Sequence, residues 1–477
     1  MKKKNRRYRI IKNVQEIKYS NIKKQVIDKE VDGIKTSYLS MSHIITYNPI
    51  RYENNETKLI YLKKLSTYLK IGGWSKRKYE SSMFKAYEKI ILDTNEVRTN
   101  HGIKYYKNII VFDLIHILGY ELTEKNKAKL KKVEKKYLED FVFDSLDKNL
   151  FLRIINSTKS TKGVKNIQKV FLLDDEVKYC EKIIENLSFR DKYPFRVMVT
   201  ATMSAGKSTF INSLVGKYIC LSQNMACTSK VHSIINKSFE DGFSYEYDYD
   251  LVLTAGKEEL LNDNELNNSD KIYVSTHYNG GLSSGRYIIN DSPGVNFNGD
   301  SKHKEITERL IKGRKYNLLI YIMNSTQLAT NDEDEHLDFI KQNIGRTPII
   351  FVMNKVDSYN VEEENIFETI QRQIDYLTKK GFKNPIICPI SSRAGYLAKQ
   401  CQNGIITRSE KRELYNYIDK FEQMNLVKYY KDIFPKINID DSDKEEFQLL
   451  KNCGLSYVEE IIRWYKEGGN KNGTSKY

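Results

Sequence analysis

None of the six cysteines (Cys180, Cys220, Cys227, Cys388, Cys401 and Cys453) belongs to a Cys-x-x-Cys pair. No stretch of about 18 apolar residues occurs, and no segment repeats at a solenoid period. Each absence excludes a class. Six cysteines so spaced build neither a disulfide scaffold nor a structural zinc cage, and are expected to be reduced thiols, mostly buried. The missing apolar run excludes a spanning helix. The basic start, Met1 to Lys12, is not followed by the apolar core of a signal peptide, so a cytoplasmic protein is expected. What is present is enough for a folded interior. Hydrophobic residues make up 40% and aromatics 12%, which excludes whole-chain disorder, and 477 residues predict more than one domain.

Lys and Arg number 78 against 62 Asp and Glu, a formal net charge of +16. Clustered cations gain free energy by releasing counterions from phosphates, so nucleic acid and an anionic membrane surface are both candidate partners. Met1–Arg9 and the helix around Lys125–Lys136 are the places for such a surface. Lysine is frequent along the whole chain, however, so solvated faces account for much of the excess, and no RNA-binding module is recognisable.

Residues 1–120 mix apolar runs (Leu59–Leu62, Ile109–Leu114) with charged stretches and carry no motif of known chemistry; an α-rich or mixed region is expected. Residues 121–190 read as a helical segment. Leu130, Val133 and Leu138 mark an amphipathic helix from Thr123 to about Leu146, and Val164, Ile167, Val170, Phe171, Val177, Cys180, Ile184 and Leu187 mark a second. Within 191–400, the runs Phe195–Val199, Tyr287–Asn290, Leu318–Met323, Ile349–Met353 and Ile386–Pro389 alternate with segments long enough for helices. That is the pattern of an α/β domain with a mostly parallel sheet flanked by helices. Residues 401–469 are helix-prone, ending on Leu455, Val458, Ile461, Ile462 and Tyr465 before Gly468–Gly469, and 470–477 form a tail expected to be disordered.

The chemistry lies at the ends of the expected strands. Ala201-Thr-Met-Ser-Ala-Gly-Lys-Ser-Thr209 follows one strand and opens a helix (Phe210–Val215), the setting of a phosphate-binding loop. Amides of Ser204, Ala205, Gly206 and Thr209 would wrap a phosphate at the positive end of the helix, Lys207 would reach the β- and γ-phosphates, and the Ser208 hydroxyl would bind Mg2+. Ala201 stands where such loops usually have Gly, so a reshaped loop is expected. Asp291-Ser-Pro-Gly294 follows the next strand: the carboxylate would serve the metal shell and the Gly294 amide would sense a γ-phosphate. Thr228, in a polar stretch, is the candidate for a threonine that closes over the metal.

Asn354-Lys-Val-Asp357 selects the base. The Asp357 carboxylate can accept two hydrogen bonds from N1–H and the exocyclic amine of guanine, a donor pair that adenine lacks. Asn354 would tie this loop to the phosphate loop, the Lys355 stem would cover the base, and the backbone of Ser391-Ser392-Arg393 would approach guanine O6. The order of these motifs is that of a P-loop GTPase.

The chain resembles the dynamin superfamily, and within it the bacterial dynamin-like proteins, over about residues 165–467. The resemblance rests on Met203–Leu214, Ala226-Cys-Thr228, Asp291–Val295, Tyr321–Gln327 with Asp332, and Phe351–Asp357. It implies a GTPase domain that hydrolyses GTP with Mg2+, dimerises across its nucleotide faces and packs its flanking helices, here Val164–Leu187 and Leu455–Tyr465, into a bundle. It also implies Ser204, Lys207 and Thr228 as the catalytic group, and peripheral membrane contact as a further expectation. Two features depart. Animal dynamins have Gln where this chain has Met203, and the chain stops soon after the GTPase domain, leaving little room for a stalk and membrane-inserting paddle. The stretch from Gly206 to Asn354 is longer than a minimal GTPase requires, which predicts an insertion at about Asp241–Gly285.

Overall fold

A strand buried on both faces of a parallel sheet reads as an almost unbroken apolar run, and all five such runs are strands in the computed structural model. It describes residues 46–73, 84, 87–94, 97–118, 127–141, 174–220, 230–247, 251–252, 271–294, 301–360, 365–439 and 442–468. The expectations on Met1–Arg9, Val164–Phe171, Cys227, Thr228 and the tail 470–477 lie outside these residues. The chain divides into two compact units, 1–190 and 191–477. Residues 121–190 thus fall with the N-terminal region, and 401–469 with the sheet.

The N-terminal unit is helical: α1 (Asn55–Ile71), α2 (Lys107–Leu118), α3 (Lys127–Asp140) and α4 (Asp174–Asp191). The Asn54 side chain starts α1 by accepting from the Thr57 amide, the role an N-cap asparagine serves. On α3 the buried positions are Leu130, Val133 and Tyr137, with Leu138 only half-buried, because steps of three and four keep one face and Leu138 falls off it. Tyr137 can be buried because its hydroxyl donates to the Lys107 carbonyl at 3.0 Å. At the unit's centre the fully buried Asp113 carboxylate accepts from the hydroxyls of Tyr61, Tyr87 and Tyr179 and from Asn48 Nδ2 at 2.9 Å. Burial pushes Asp113 up to about 6, against the opposite pull of those four donors. Within this unit α4, which carries the described part of the segment Val164–Leu187, contributes Tyr179 to Asp113 and Asn186 to His116.

In the second unit nine strands form one sheet: β1 (Phe195–Ala201), β2 (Val231–Asn236), β3 (Tyr245–Tyr247), β4 (Leu251–Val252), β5 (Lys271–Thr276), β6 (Tyr287–Asp291), β7 (Leu318–Asn324), β8 (Ile349–Asn354) and β9 (Ile387–Pro389). Their order is β4-β3-β5-β2-β6-β1-β7-β8-β9. The run from β6 to β9 is parallel, β2 is antiparallel to β6, and the expected insertion supplies β3, β4 and β5 as an outer extension.

The helices of this unit are α5 (Lys207–Val215), α6 (Ser301–Gly313), α7 (Asn331–Asn343), α8 (Ile366–Lys379), α9 (Ser392–Gln402), α10 (Arg408–Met424), α11 (Leu426–Ile433), α12 (Glu445–Asn452) and α13 (Leu455–Lys466). The crossovers through α6, α7 and α8 join parallel strands and all step across the sheet in one direction, so right-handed connection puts them on one face; α5, which joins the antiparallel strands β1 and β2, belongs to a separate group of helices. In that group α9 packs against α5 and α12. Gly395 permits a close approach to α13, since a Cβ on it would meet Leu455 Cδ2 at 2.6 Å. The short edge strand β9 is covered by α11, whose Tyr429 and Tyr430 hydroxyls donate to the carbonyls of Ile387 and Pro389 at 2.8 Å each.

Candidate nucleotide-binding site

Strand order reverses at β1, with β6 on one side and β7 on the other, and a parallel sheet opens a crevice at the carboxyl ends of such a pair. Residues 202–206 leave β1 there. Ser204 and Gly206 are both left-handed (φ +63° and +84°), which curls the segment into a concavity of the kind whose amides face an anion. Gly206 is required twice over, for its φ and because a Cβ would come within 2.4 Å of Asn354 Nδ2. Ala201 is not left-handed; it ends β1 as a buried residue paired with Ile322, so its own backbone needs no glycine.

Lys207 opens α5, with Ser208 and Thr209 half-buried in the first turn. Its ammonium pairs with Asp291 at the end of β6, and both side chains are withdrawn from solvent. Asp291 Oδ2 is buried and accepts no hydrogen bond among the described residues. The Cys220 thiol lies against the same carboxylate: burial first, then the Asp291 charge and a weak hydrogen bond donated to Asp291, push it well up, against the Lys207 charge. After Asp291, the Ser292 amide and hydroxyl donate to the Val199 carbonyl at 3.3 and 3.1 Å, and a Cβ on Gly294 would lie 3.9 Å from Met203 Cα. The Asp-Ser-Pro-Gly turn is thereby laid beside the phosphate loop.

Asn354 joins the site's two ends. Its Nδ2 donates to the Ala205 carbonyl at 3.0 Å, and its Oδ1 accepts from the Ser392 amide at 3.1 Å. Lys355 is left-handed (φ +64°), and the Ser325 hydroxyl fixes it by donating to the Lys355 carbonyl at 2.9 Å. Ser325 also donates its amide to the Asn354 carbonyl at 3.0 Å. Ser325 lies in the Tyr321–Gln327 motif that carries the resemblance, which implies no role for it; its position directly after β7, at the edge where the other motifs end, is the further signal. Asp357 is half-buried in a 3-10 turn, Val356–Ser358, and its carbonyl accepts from Lys420 Nζ at 2.6 Å. Ser391 caps α9 and donates its amide to the Cys453 carbonyl at 3.1 Å, while the Ser392 hydroxyl is buried without a partner among the described residues. The Arg393 side chain is committed to Glu413, leaving its backbone for a ligand.

The supports are buried and polar. Under the loop, Thr200 Oγ1 and His336 Nε2 lie 3.0 Å apart, and burial holds that imidazole down to about 3. Glu333 accepts from the Ala329 amide at 2.7 Å and is pushed up to about 7 by burial. At the far end of α5, Lys399 Nζ donates to the Leu214 carbonyl at 2.9 Å and pairs with Glu459 of α13.

The sequence model described as the Dynamin family matches residues 197–356, from the second half of β1 to the base loop. Residues 197–356 form a dynamin-family domain. A bacterial dynamin-like protein of Nostoc punctiforme is 26% identical over 42% of this chain and 33% of its own length, so the match spans about a third of that relative. Among solved structures, one of an oligomerised bacterial dynamin pair is 14% identical, covering 91% of this chain and 63% of its own, with a TM-score of 0.36. Toc33 from Arabidopsis thaliana, in complex with GDP and Mg2+, is 14% identical over 61% of this chain and 93% of its own, with a TM-score of 0.32. The dynamin-family domain thus contains the phosphate loop, Asp291 and Asn354, while Asp357, Ser391–Arg393 and their helical supports follow the matched residues.

Proposed function

We propose that this dynamin-family domain binds GTP with Mg2+ and hydrolyses it to GDP and phosphate. The observation that carries the reading is Asn354, which holds the phosphate loop with one end of its amide and the 391–393 loop with the other. Phosphate and base subsites in one rigid crevice are what a nucleoside triphosphate requires. Main-chain amides of 204–209 and the Lys207 ammonium would hold the phosphates, Lys207 exchanging Asp291 for phosphate oxygens. The donor set suits Mg2+: a hydroxyl (Ser208) and one carboxylate with an uncommitted buried oxygen (Asp291) are hard oxygen ligands, too few to replace the waters and phosphates that Mg2+ retains. Bound there, the ion would neutralise charge on the phosphate oxygens. Thr228 is the further candidate for closing over the metal. Asp357 would read guanine, with Lys355 along the base and the Ser391–Arg393 backbone near O6.

Met203 favours slow turnover by the single chain. It stands exposed at the loop, and a thioether cannot orient water as an amide can. Basal hydrolysis is expected on the order of 10⁻⁴–10⁻² s⁻¹, rising when a second copy completes the site. Turnover measured against protein concentration separates the two outcomes: a steep rise marks assembly-stimulated hydrolysis, and a flat, negligible rate marks a GTP-gated binding switch. The base assignment is tested by calorimetry. GTP should bind and ATP should not, and Asp357→Asn should move the preference toward xanthosine triphosphate; equal affinity for ATP would overturn the assignment.

A further inference from the structure

Helix α10 lies beyond the strand-loop-helix units that carry the phosphate and base motifs, yet both loops assigned to the base are fastened to it. Lys420 Nζ donates to the Asp357 carbonyl at 2.6 Å. Arg393 Nε and Nη2 donate to the two carboxylate oxygens of Glu413 at 2.9 and 2.7 Å, a forked, charge-assisted contact, and the Tyr417 hydroxyl donates to the same carboxylate at 3.2 Å. Glu413, Tyr417 and Lys420 recur at steps of four and three, so they share one face of α10. The helix offering that face is itself held. A capping box of Thr407 and Glu410 starts it, and Leu414, Phe421 and Met424 bury it in the core.

We infer that α10 is a clamp on the guanine end of the site, in which Lys420 and Glu413 are positioning residues that set base selectivity and nucleotide residence time. The inference rests on the GTP reading above. Asp357 sits in a single 3-10 turn entered through the left-handed Lys355. The Val356 amide donates to the Ile390 carbonyl at 3.3 Å and the Ser358 amide to the Lys355 carbonyl at 3.0 Å, while the carbonyl of Asp357 itself is held by Lys420. Anchoring its carbonyl fixes where the carboxylate stands. Two simultaneous hydrogen bonds to N1–H and the 2-amino group tolerate little displacement, so a loop freed at Asp357 loses discrimination before it loses phosphate binding. Glu413 acts through Arg393 on the opposite loop.

The test compares GDP with inosine diphosphate, which lacks the 2-amino group and so reports on that part of the Asp357 contact. In the full chain, Lys420→Met should lower the ratio of GDP to inosine diphosphate affinity about five- to tenfold, the worth of about one hydrogen bond, and should speed GDP release. Lys420→Arg should restore the ratio. Glu413→Gln, which keeps the shape and removes the charge, should move it in the same direction by less. An unchanged ratio in both Lys420→Met and Glu413→Gln, with wild-type protein selective for guanine, overturns the clamp and leaves the GTP reading standing. Wild-type protein that binds ADP as tightly as GDP overturns both.

Discussion

Each unit of this protein has a fully buried aspartate, and the two are treated differently. In the N-terminal unit Asp113 is surrounded by three tyrosine hydroxyls and an amide, so both of its oxygens are satisfied. In the sheet unit Asp291 pairs with Lys207 through one oxygen and leaves the other without a donor among the described residues. Leaving a buried carboxylate oxygen unpaired costs free energy that folding alone gives no reason to spend. A completed network is architecture, and an incomplete one at the mouth of a crevice is a site. The 26-residue separation of Tyr87 from Asp113 and the 84-residue separation of Lys207 from Asp291 show that neither arrangement is local.

The comparison can be broken most directly by exchanging outcomes. Asp113→Ala takes the acceptor from three buried hydroxyls, each costing about 1–3 kcal/mol, while Asn48 Nδ2 keeps the Tyr87 hydroxyl at 3.0 Å, and should unfold the N-terminal unit in thermal and denaturant melts. Asp291→Asn, which keeps an oxygen acceptor for Lys207, should do the reverse, leaving the melt of the sheet unit nearly in place while Mg2+-dependent nucleotide binding is lost in calorimetry. If Asp291→Asn unfolds the protein instead, the uncommitted oxygen is not a functional signature.

A smaller effect comes from Glu459, which shares a unit with Asp291 but is fully engaged, by Lys399 and by the Gly281 amide at 3.3 Å. Glu459→Ala leaves a buried ammonium without its partner and should cost about 3–5 kcal/mol in urea unfolding.

The most gradual effect is that of pH, spread over several pH units. Asp113 is raised from 3.8 to about 6 and Glu176 from 4.5 to about 7, both by burial, so the folded N-terminal unit keeps protons that the unfolded chain has released. Its stability therefore falls as pH rises from 4.5 to 7, by up to about 1.4 kcal/mol per group and pH unit. In the sheet unit Glu333, raised from 4.5 to about 7, has that same sign, but His336, lowered from 6.5 to about 3, has the opposite one. These oppose each other between pH 4.5 and 6.5, where His277, also lowered by burial, adds to His336; below 4.5 the unit should lose stability, because Glu240, Asp334 and Glu413, all held below their usual range, lose their contribution along with the two histidines. Hydrogen exchange across the pH series, resolved by segment and corrected for intrinsic rates, would show the two units diverging; parallel trends would contradict this account.

Much of the sheet unit was legible because its central strands are buried on both faces and so are apolar throughout, and because its site motifs are contiguous and follow those strands. Strands β2 and β5 were not legible. Val231–Asn236 is wholly buried yet includes His232, Ser233 and Asn236, polar residues that become tolerable only through distant partners. Ser233 Oγ donates to Asn290 Oδ1 at 2.6 Å, and Asn236 Nδ2 to the Ser283 carbonyl at 2.7 Å. The expected contact between phosphate loop and base loop could be read from Asn354 itself, whereas Lys420 and Glu413 carry no motif and enter only through space, as does the role of Ser325 within its motif.

By itself the sequence determined the α/β alternation and the loops 201–209 and 354–357 that follow two of its strands, because strand periodicity and the glycine, lysine and aspartate of those loops act within a few residues of one another. Only the tertiary structure decided that α4 belongs with the N-terminal helices, that α10 holds the base loops, and which of two buried aspartates is satisfied. Those outcomes depend on donors and acceptors that are far apart along the chain, and pairing at that range is decided by packing.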